Sequence, residues 1–264
     1  MPKLDRLDRQ ETLFVVLMGI FLTNALLAEV VGTKIFSLEA ALGMAPLAWT
    51  LLEGQAFGFD LTAGVILWPI VFVTNDLINE YFGKRGVRRV SFLTAGFIAY
   101  AFVMIWWVAG LPPADFWVSL HAQGDPPLDI DLAFSRIFRQ SMGIIIGSLV
   151  AFLIGQLLDV SVFQWVRRYT GSRHIWLRAT GSTLVSQFVD SFVVLAIAFH
   201  YFGNPPWEWS LVISVGIVNY TYKFLVAIAL TPVLYVAHAL IDRYLGKPEA
   251  EMLARQASQS DFFG

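Results

Sequence analysis

Apolar residues in this chain run in six long stretches, and polar groups recur inside them at helical spacing. A bilayer core about 30 Å thick takes roughly 20 helical residues to cross. The pattern predicts membrane helices at about 12–34, 61–82, 88–110, 139–160, 177–202 and 209–238. The clearest is LTAGVILWPIVFVTNDLINEYF (61–82), which ends in Asn75, Asp76, Asn79 and Glu80. A charge at the centre of such a helix costs about 3 kcal/mol on insertion scales. Polar groups that incur this cost repeatedly mark the first place to look for a binding site. The segment between the first two helices, SLEAALGMAPLAWTLLEGQAFGFD, is broken by Gly and Pro and reads as a hairpin or a re-entrant segment. The stretch 111–135 carries Pro112, Pro113, Pro126 and Pro127 and reads as a loop. Trp106, Trp107, Phe116 and Trp117 near it fit an interfacial aromatic belt.

Composition agrees with the pattern. Of 264 residues, 57% are hydrophobic and 14% charged, and the mean hydropathy is +0.64. Soluble domains hold about 25% charged residues. The expectation is an all-α polytopic membrane bundle. It has a short segment 1–11, a six-helix domain 12–240 and a tail 241–264, with no room for a soluble catalytic domain. The first apolar stretch begins near Leu13 without a small-residue cleavage site, so it reads as a retained helix. The net charge of -2 gives no reason to expect nucleic-acid binding, and the absence of cysteine removes disulfides and thiolate chemistry.

Charge distribution sets a topology. Lys3, Arg6, Arg9, Lys84, Arg85, Arg88, Arg89, Arg167, Arg168, Arg173, Arg178, Arg243, Lys247 and Arg255 fall on one side of a six-span arrangement. Lys34, Arg136 and Arg139 fall on the other, and Lys223 lies inside a helix. The positive-inside rule places both termini in the cytoplasm.

The polar residues within the helices form the candidate site. On the second helix Asn75 and Asn79 are four apart, as are Asp76 and Glu80, and Trp68, Phe72 and Asn75 extend one face. A plainer reading makes Asp76 and Glu80 a cytoplasmic cap paired with Lys84, Arg85 and Arg88. On the fifth helix Ser182, Thr183, Ser186, Gln187, Asp190 and Ser191 form a polar stripe. Asp190 sits near mid-bilayer with no basic neighbour in its own helix, so it needs a partner, a proton or a ligand. On the sixth, Asn219 and Lys223 are four apart with Tyr220 and Tyr222 beside them. A Lys223–Asp190 ion pair is the obvious structural alternative and is compatible with a ligand site. Glu29 on the first helix serves either the site or a rim pair with Lys34. Asp159 is expected to pair with Arg167 or Arg168. Gly143, Gly147, Ala151 and Gly155 are spaced by four and allow close helix packing, compatible with a homodimer without requiring one. His121, His174, His200 and His238 stand at no metal-ligand spacing, no nucleophilic triad or phosphate loop is visible, and neither a metal nor a cofactor is expected.

Three motifs, TNDLINEYFGKRGVRR (74–89), GSLVAFLIGQLLDVSVF (147–163) and LRATGSTLVSQFVDSFVVLAIAF (177–199), together with NYTYKFLVAIALTP (219–232), resemble the queuosine-precursor transporter family, also described as vitamin-uptake-transporter-like. They cover most of 60–235 in the expected order, and EVVGTKIF (29–36) resembles the family more weakly. The resemblance implies a bacterial inner-membrane importer of 7-cyano-7-deazaguanine, and of its 7-aminomethyl relative, for tRNA queuosine synthesis. It also implies an architecture similar to the substrate-binding subunits of energy-coupling-factor transporters, working without an ATPase. Such a ligand suits the residues. Its adjacent N1–H and amine donors match a carboxylate of Asp190, Glu80 or Asp76. Its O6 matches Gln187, Asn79, Asn219 or Lys223, and its flat ring matches Trp68, Phe72, Tyr220 or Phe188. The residues alone point only to a small polar planar or zwitterionic solute. A substrate-binding subunit of an ATP-driven transporter, and an intramembrane enzyme or scaffold, are the competing readings.

Overall fold

The computed structural model describes residues 8–32, 34–45, 49–50, 56–58, 60–118, 128–138, 142–170, 174–203 and 205–259. Helix α1 (Arg9–Val31) starts at a capping box, in which the Glu11 N–H donates to Asp8 Oδ1 at 2.7 Å and Glu11 reaches back to the Asp8 N–H. It buries Leu13, Leu17, Phe21, Ala25 and Ala28 along one face, a four-residue stripe packed against the next long helix.

The segment after α1 departs from an all-α fold. Strand β1 (Ile35–Ser37) is followed by a one-turn helix α2 (Leu38–Ala41), then β2 (Trp49–Thr50), β3 (Ala56–Phe57) and β4 (Asp60–Thr62). β1 pairs with β4 and β2 with β3, both antiparallel, so a small nested hairpin caps this end of the bundle. A single 3₁₀ turn (Ala63–Ile66) leads into α3 (Trp68–Val108). Strand and turn thus replace the first residues expected of the 61–82 helix.

α3 joins the expected second and third helices. It contains one break, at Gly83, with φ 63° and ψ -165°, a conformation that glycine adopts without the Cβ clash other residues meet. The chain turns sharply there. A Cβ on Gly86 would lie 3.4 Å from Ile78 Cγ2, whereas eight residues of straight helix span about 12 Å. Among the described residues, five helices are long and apolar enough to cross a membrane, α3 counting as one of them.

Helices α4 (Asp115–Val118) and α5 (Ile130–Phe138) follow, and then α6 (Met142–Thr170) and α7 (Ile175–Leu195), which is prolonged by a π turn at Ala196–Tyr201. α6 runs ten residues past its expected end at 160, because Gln164 and Arg167 find buried partners in the bundle. α8 (Trp209–Ala229) and α9 (Thr231–Leu245) replace the single helix expected at 209–238. Pro232 in the first turn of α9 has no N–H to continue the α8 ladder. Last comes α10 (Lys247–Ser258), which buries Ala250, Leu253 and Ala257 against the end of the bundle where α1 begins. Gln10 donates to Glu249 there at 2.8 Å. Exposed Phe92, Leu93, Phe97, Val103, Trp106 and Trp107 line the outer face of α3, as a lipid-facing helix requires.

The small-residue stripe of α6 packs within the chain. A Cβ on Gly147 would meet the Val194 carbonyl oxygen at 3.1 Å and the Ala198 nitrogen at 3.3 Å, and Gly155 faces Asp190. The surroundings of Gly143 lie outside the described residues, as do His121 and the positions 46–48, 51–55 and 59 of the 40–60 loop.

Candidate functional site

Three polar layers lie along the bundle axis. The first is a cavity of about 440 Å³ toward the hairpin end, walled by Glu29, Ser148, Asp190, Asn219, Lys223 and Arg136 among apolar residues of α1, α6, α7 and the π turn. Each acidic group here has a partner. Ser148 Oγ donates to Glu29 Oε1 at 2.6 Å. Lys223 Nζ donates to Asp190 Oδ2 at 2.5 Å, the expected ion pair between α7 and α8. Its side chains are 17% (Lys223) and 22% (Asp190) exposed. An acceptor and a charged donor therefore stand side by side on the cavity wall.

Trp68 separates this cavity from the second layer. It stacks on Phe72 with ring centroids 6.1 Å apart and lies 6.3 Å from Phe152. Beneath it is a small pocket lined by Asn75, Gln156, Asp159, Ser186, Gln187 and Asp190. Asn75 Nδ2 donates to Asp159 Oδ2 at 2.5 Å, and Ser186 Oγ to Asp159 Oδ1 at 3.4 Å. Asp159 thus takes its bonds from α3 and α7, where sequence alone suggested Arg167 or Arg168. The arginine has another carboxylate to satisfy.

That carboxylate is Glu80, in the third layer at the α10 end. Arg178 donates to Glu80 Oε1 at 2.8 Å and Arg167 to the same oxygen at 3.2 Å. Arg167 also donates to the Glu80 carbonyl at 3.1 Å and to the Ala254 carbonyl of α10 at 2.5 Å. These pairs reach 87 and 98 positions along the chain, so Glu80 is a buried junction of four helices and no local cap. Asn79, 0% exposed, accepts from Gln164 Nε2 at 2.7 Å beside it. Tyr81 donates to Asp242 at 2.9 Å and lies 2.9 Å from His238 Nδ1. Charge pairs thus tie the helices together at the α10 end.

The structure brings Trp68, Asn75, Gln187 and Asp190 together around the small pocket, and Glu29, Asn219 and Lys223 around the large cavity that shares Trp68 and Asp190. Asn79 and Glu80 line neither, and Asp76 lines a separate small cavity. Of the ring faces expected, Trp68 and Phe72 line the pocket, whereas Phe188 and Tyr220 pack edge to face at 5.3 Å outside it. Gln156, Asp159 and Ser148 were missed as site residues. Their signal was present: they fall on the face of α6 that carries Gly155, polar positions in an otherwise apolar helix.

The profile of the family described as "Putative vitamin uptake transporter" matches residues 62–237. The chain belongs to this family. A Bacillus subtilis (strain 168) relative described as "Probable queuosine precursor transporter" is 30% identical over 189 residues, 71% of this chain and 76% of the relative. An Escherichia coli (strain K12) relative, "Queuosine precursor transporter", is 28% identical over 211 residues, 76% of this chain and 84% of its own length. One from Haemophilus influenzae, "Probable queuosine precursor transporter", is 28% identical over 177 residues, 66% of each chain. No solved structure matches. The three layers fall within the matched span apart from Glu29, His238, Asp242 and α10. The chain is a multi-pass membrane transporter.

Proposed function

We propose that this protein imports 7-cyano-7-deazaguanine, and its 7-aminomethyl relative, across the bacterial inner membrane, as a stand-alone secondary transporter. The observation that carries the reading is the 440 Å³ cavity with the Asp190–Lys223 pair in its wall and Trp68 at its base. Small-molecule sites hold about 300–1,000 Å³ with few, well-placed polar groups. A deazaguanine edge offers N1–H and amine donors beside the O6 acceptor. Asp190 accepts from the first two and Lys223 donates to the third, so the ligand replaces each half of the ion pair with a matched contact. Trp68 and Phe152 cover the ring faces.

In this reading α3 crosses the membrane twice, turning at Gly83, and α8 and α9 together make the last of six crossings. Both termini and α10 are then cytoplasmic, in agreement with the basic residues of 84–89 and 167–178. The cavity opens outward, and the Glu80–Arg167–Arg178 junction closes the cytoplasmic path.

The test is uptake of labelled 7-cyano-7-deazaguanine into proteoliposomes, with binding by calorimetry. Asp190→Asn keeps the shape and removes a charged acceptor. The expected loss is about 1.5–3 kcal/mol, roughly ten- to hundredfold in affinity. A normally melting Asp190→Asn protein with unchanged affinity removes the carboxylate from the site. Uptake that requires an added ATPase subunit assigns the chain to the binding-subunit class instead.

A further inference from the structure

Asp76 lines neither the large cavity nor the pocket beneath Trp68. It is 6% exposed, and its Oδ1 has no hydrogen-bond partner among the described residues. It lines a cavity of about 20 Å³ between α3, α7 and the α8–α9 break, with Thr180, Thr183, Thr231, Ala227 and Leu230. The Thr180 and Thr231 hydroxyls lie 3.3 Å apart. The lining contains no other charged side chain from α7, α8 or α9. The charges that act on Asp76 from behind the wall are Asp159 of α6, Glu80 of its own helix and Arg178 of α7.

The size of this cavity selects the ligand. It has room for about one water-sized species, so the transported base is excluded. Its chemistry narrows the choice further: one carboxylate and three hydroxyls form an all-oxygen set, with the chain interrupted at Thr231–Pro232 as in the broken helices that hold coupling ions in secondary transporters. A divalent ion draws on more carboxylates than the single one present. A buried carboxylate in a membrane helix needs a compensating positive charge or a proton. We propose that Asp76, with Thr180, Thr183 and Thr231, binds a small monovalent cation, Na⁺ or a proton, whose occupancy is coupled to substrate binding. The coupling has a physical route, because Phe72 and Thr183 wall both this cavity and the pocket beneath Trp68. This inference rests on the transport reading.

The test uses the purified full-length protein in detergent. Melting is recorded without substrate in NaCl against choline chloride at constant ionic strength, and 7-cyano-7-deazaguanine binding is followed by calorimetry in both salts. Proton exchange on binding is read with a pH dye in weak buffer. In the sodium arm, Na⁺ raises the melting temperature saturably and tightens precursor binding at least fivefold. In the proton arm, Na⁺ does nothing and protons are taken up as precursor binds. Asp76→Asn mimics the neutralised carboxylate, folds, and loses whichever response the wild type shows. Wild-type protein with neither response overturns the proposal, as does a folded Asp76→Asn protein that keeps it. If that variant does not fold, Thr231→Val serves: at least a threefold shift in half-saturating Na⁺, or in the proton concentration for half-uptake, is expected, and no shift overturns the site. Na⁺ stabilisation in a protein that binds no precursor leaves the ion site standing and defeats the substrate reading.

Discussion

Removing Arg178 should be the most destabilising single change at the closed end of the bundle. Its side chain is 2% exposed and donates to Glu80 Oε1 at 2.8 Å, so Arg178→Met strands a buried carboxylate. Breaking one side of such a pair costs about 3–5 kcal/mol. Arg167 lessens the loss only partly, because it already shares the same oxygen at 3.2 Å. The reverse change, Glu80→Met, removes the carboxylate from both arginines, while Arg167 keeps the backbone carbonyls of residues 80 and 254. The double variant Glu80→Met with Arg178→Met removes both charges. It should therefore recover about 1.5–3 kcal/mol of the summed single losses. Reversible SDS unfolding, monitored by tryptophan fluorescence, measures all four corners of this cycle. A loss below about 1 kcal/mol for Arg178→Met, or strict additivity in the double variant, refutes the view that Glu80 and Arg178 form a desolvated pair.

Packing and topology give further tests. Gly147→Leu drives a side chain into the backbone of Val194 and Ala198; a loss of about 1–3 kcal/mol is expected in the same unfolding assay, and unchanged unfolding means the α6–α7 contact is absent. Asn75→Ala leaves Asp159 without its 2.5 Å donor, so a loss of about 1–3 kcal/mol is expected, together with weaker precursor binding by calorimetry. Arg85→Cys, at an exposed position beside the Gly83 turn, should resist membrane-impermeant thiol reagents from outside intact cells, whereas Leu42→Cys, 64% exposed at the hairpin end, should react. Labelling of Arg85→Cys from outside reverses the proposed orientation.

The helices and most of the polar positions were legible because membrane burial makes the apolar pattern continuous and every interruption conspicuous. Asp190 with Lys223 was readable for that reason: two opposite charges deep in neighbouring apolar helices have few other partners. The Gly and Pro breaks after α1 left a hairpin or a re-entrant segment open, and the structure shows the hairpin; that it is built of strands was not legible, since the segment lacks both period-2 alternation and a helical face. Partner choice was the weaker inference. Lys84, Arg85 and Arg88 are near Glu80 in sequence, yet α6 continues to Thr170 and carries Arg167 into the bundle. Asp159 then loses its nearest cation and bonds Asn75. One helix boundary, ten residues beyond the expected one, redirects both carboxylates.

That redirection bears on how the transporter cycles. In the proposed reading, substrate held between Asp190 and Lys223 has the Asn75–Asp159 bond and the Glu80 junction between it and the α10 end. Release in that direction requires both to part. The two are not equivalent. Asn75 and Asp159 exchange one neutral donor, which a polar ligand edge can replace in passing. Glu80 ties α3 to α6 and α7, and through Arg167 to α10, so its opening must move helices relative to one another. The Asn75 layer therefore suits a thin local gate and the Glu80 junction a thick one, whose parting belongs to the global inward-opening step. A ligand can drive that step only by binding the inward-open arrangement better than the outward-open one. Phe72 and Thr183, which face both the pocket beneath Trp68 and the Asp76 cavity, are where such a difference in affinity can be built.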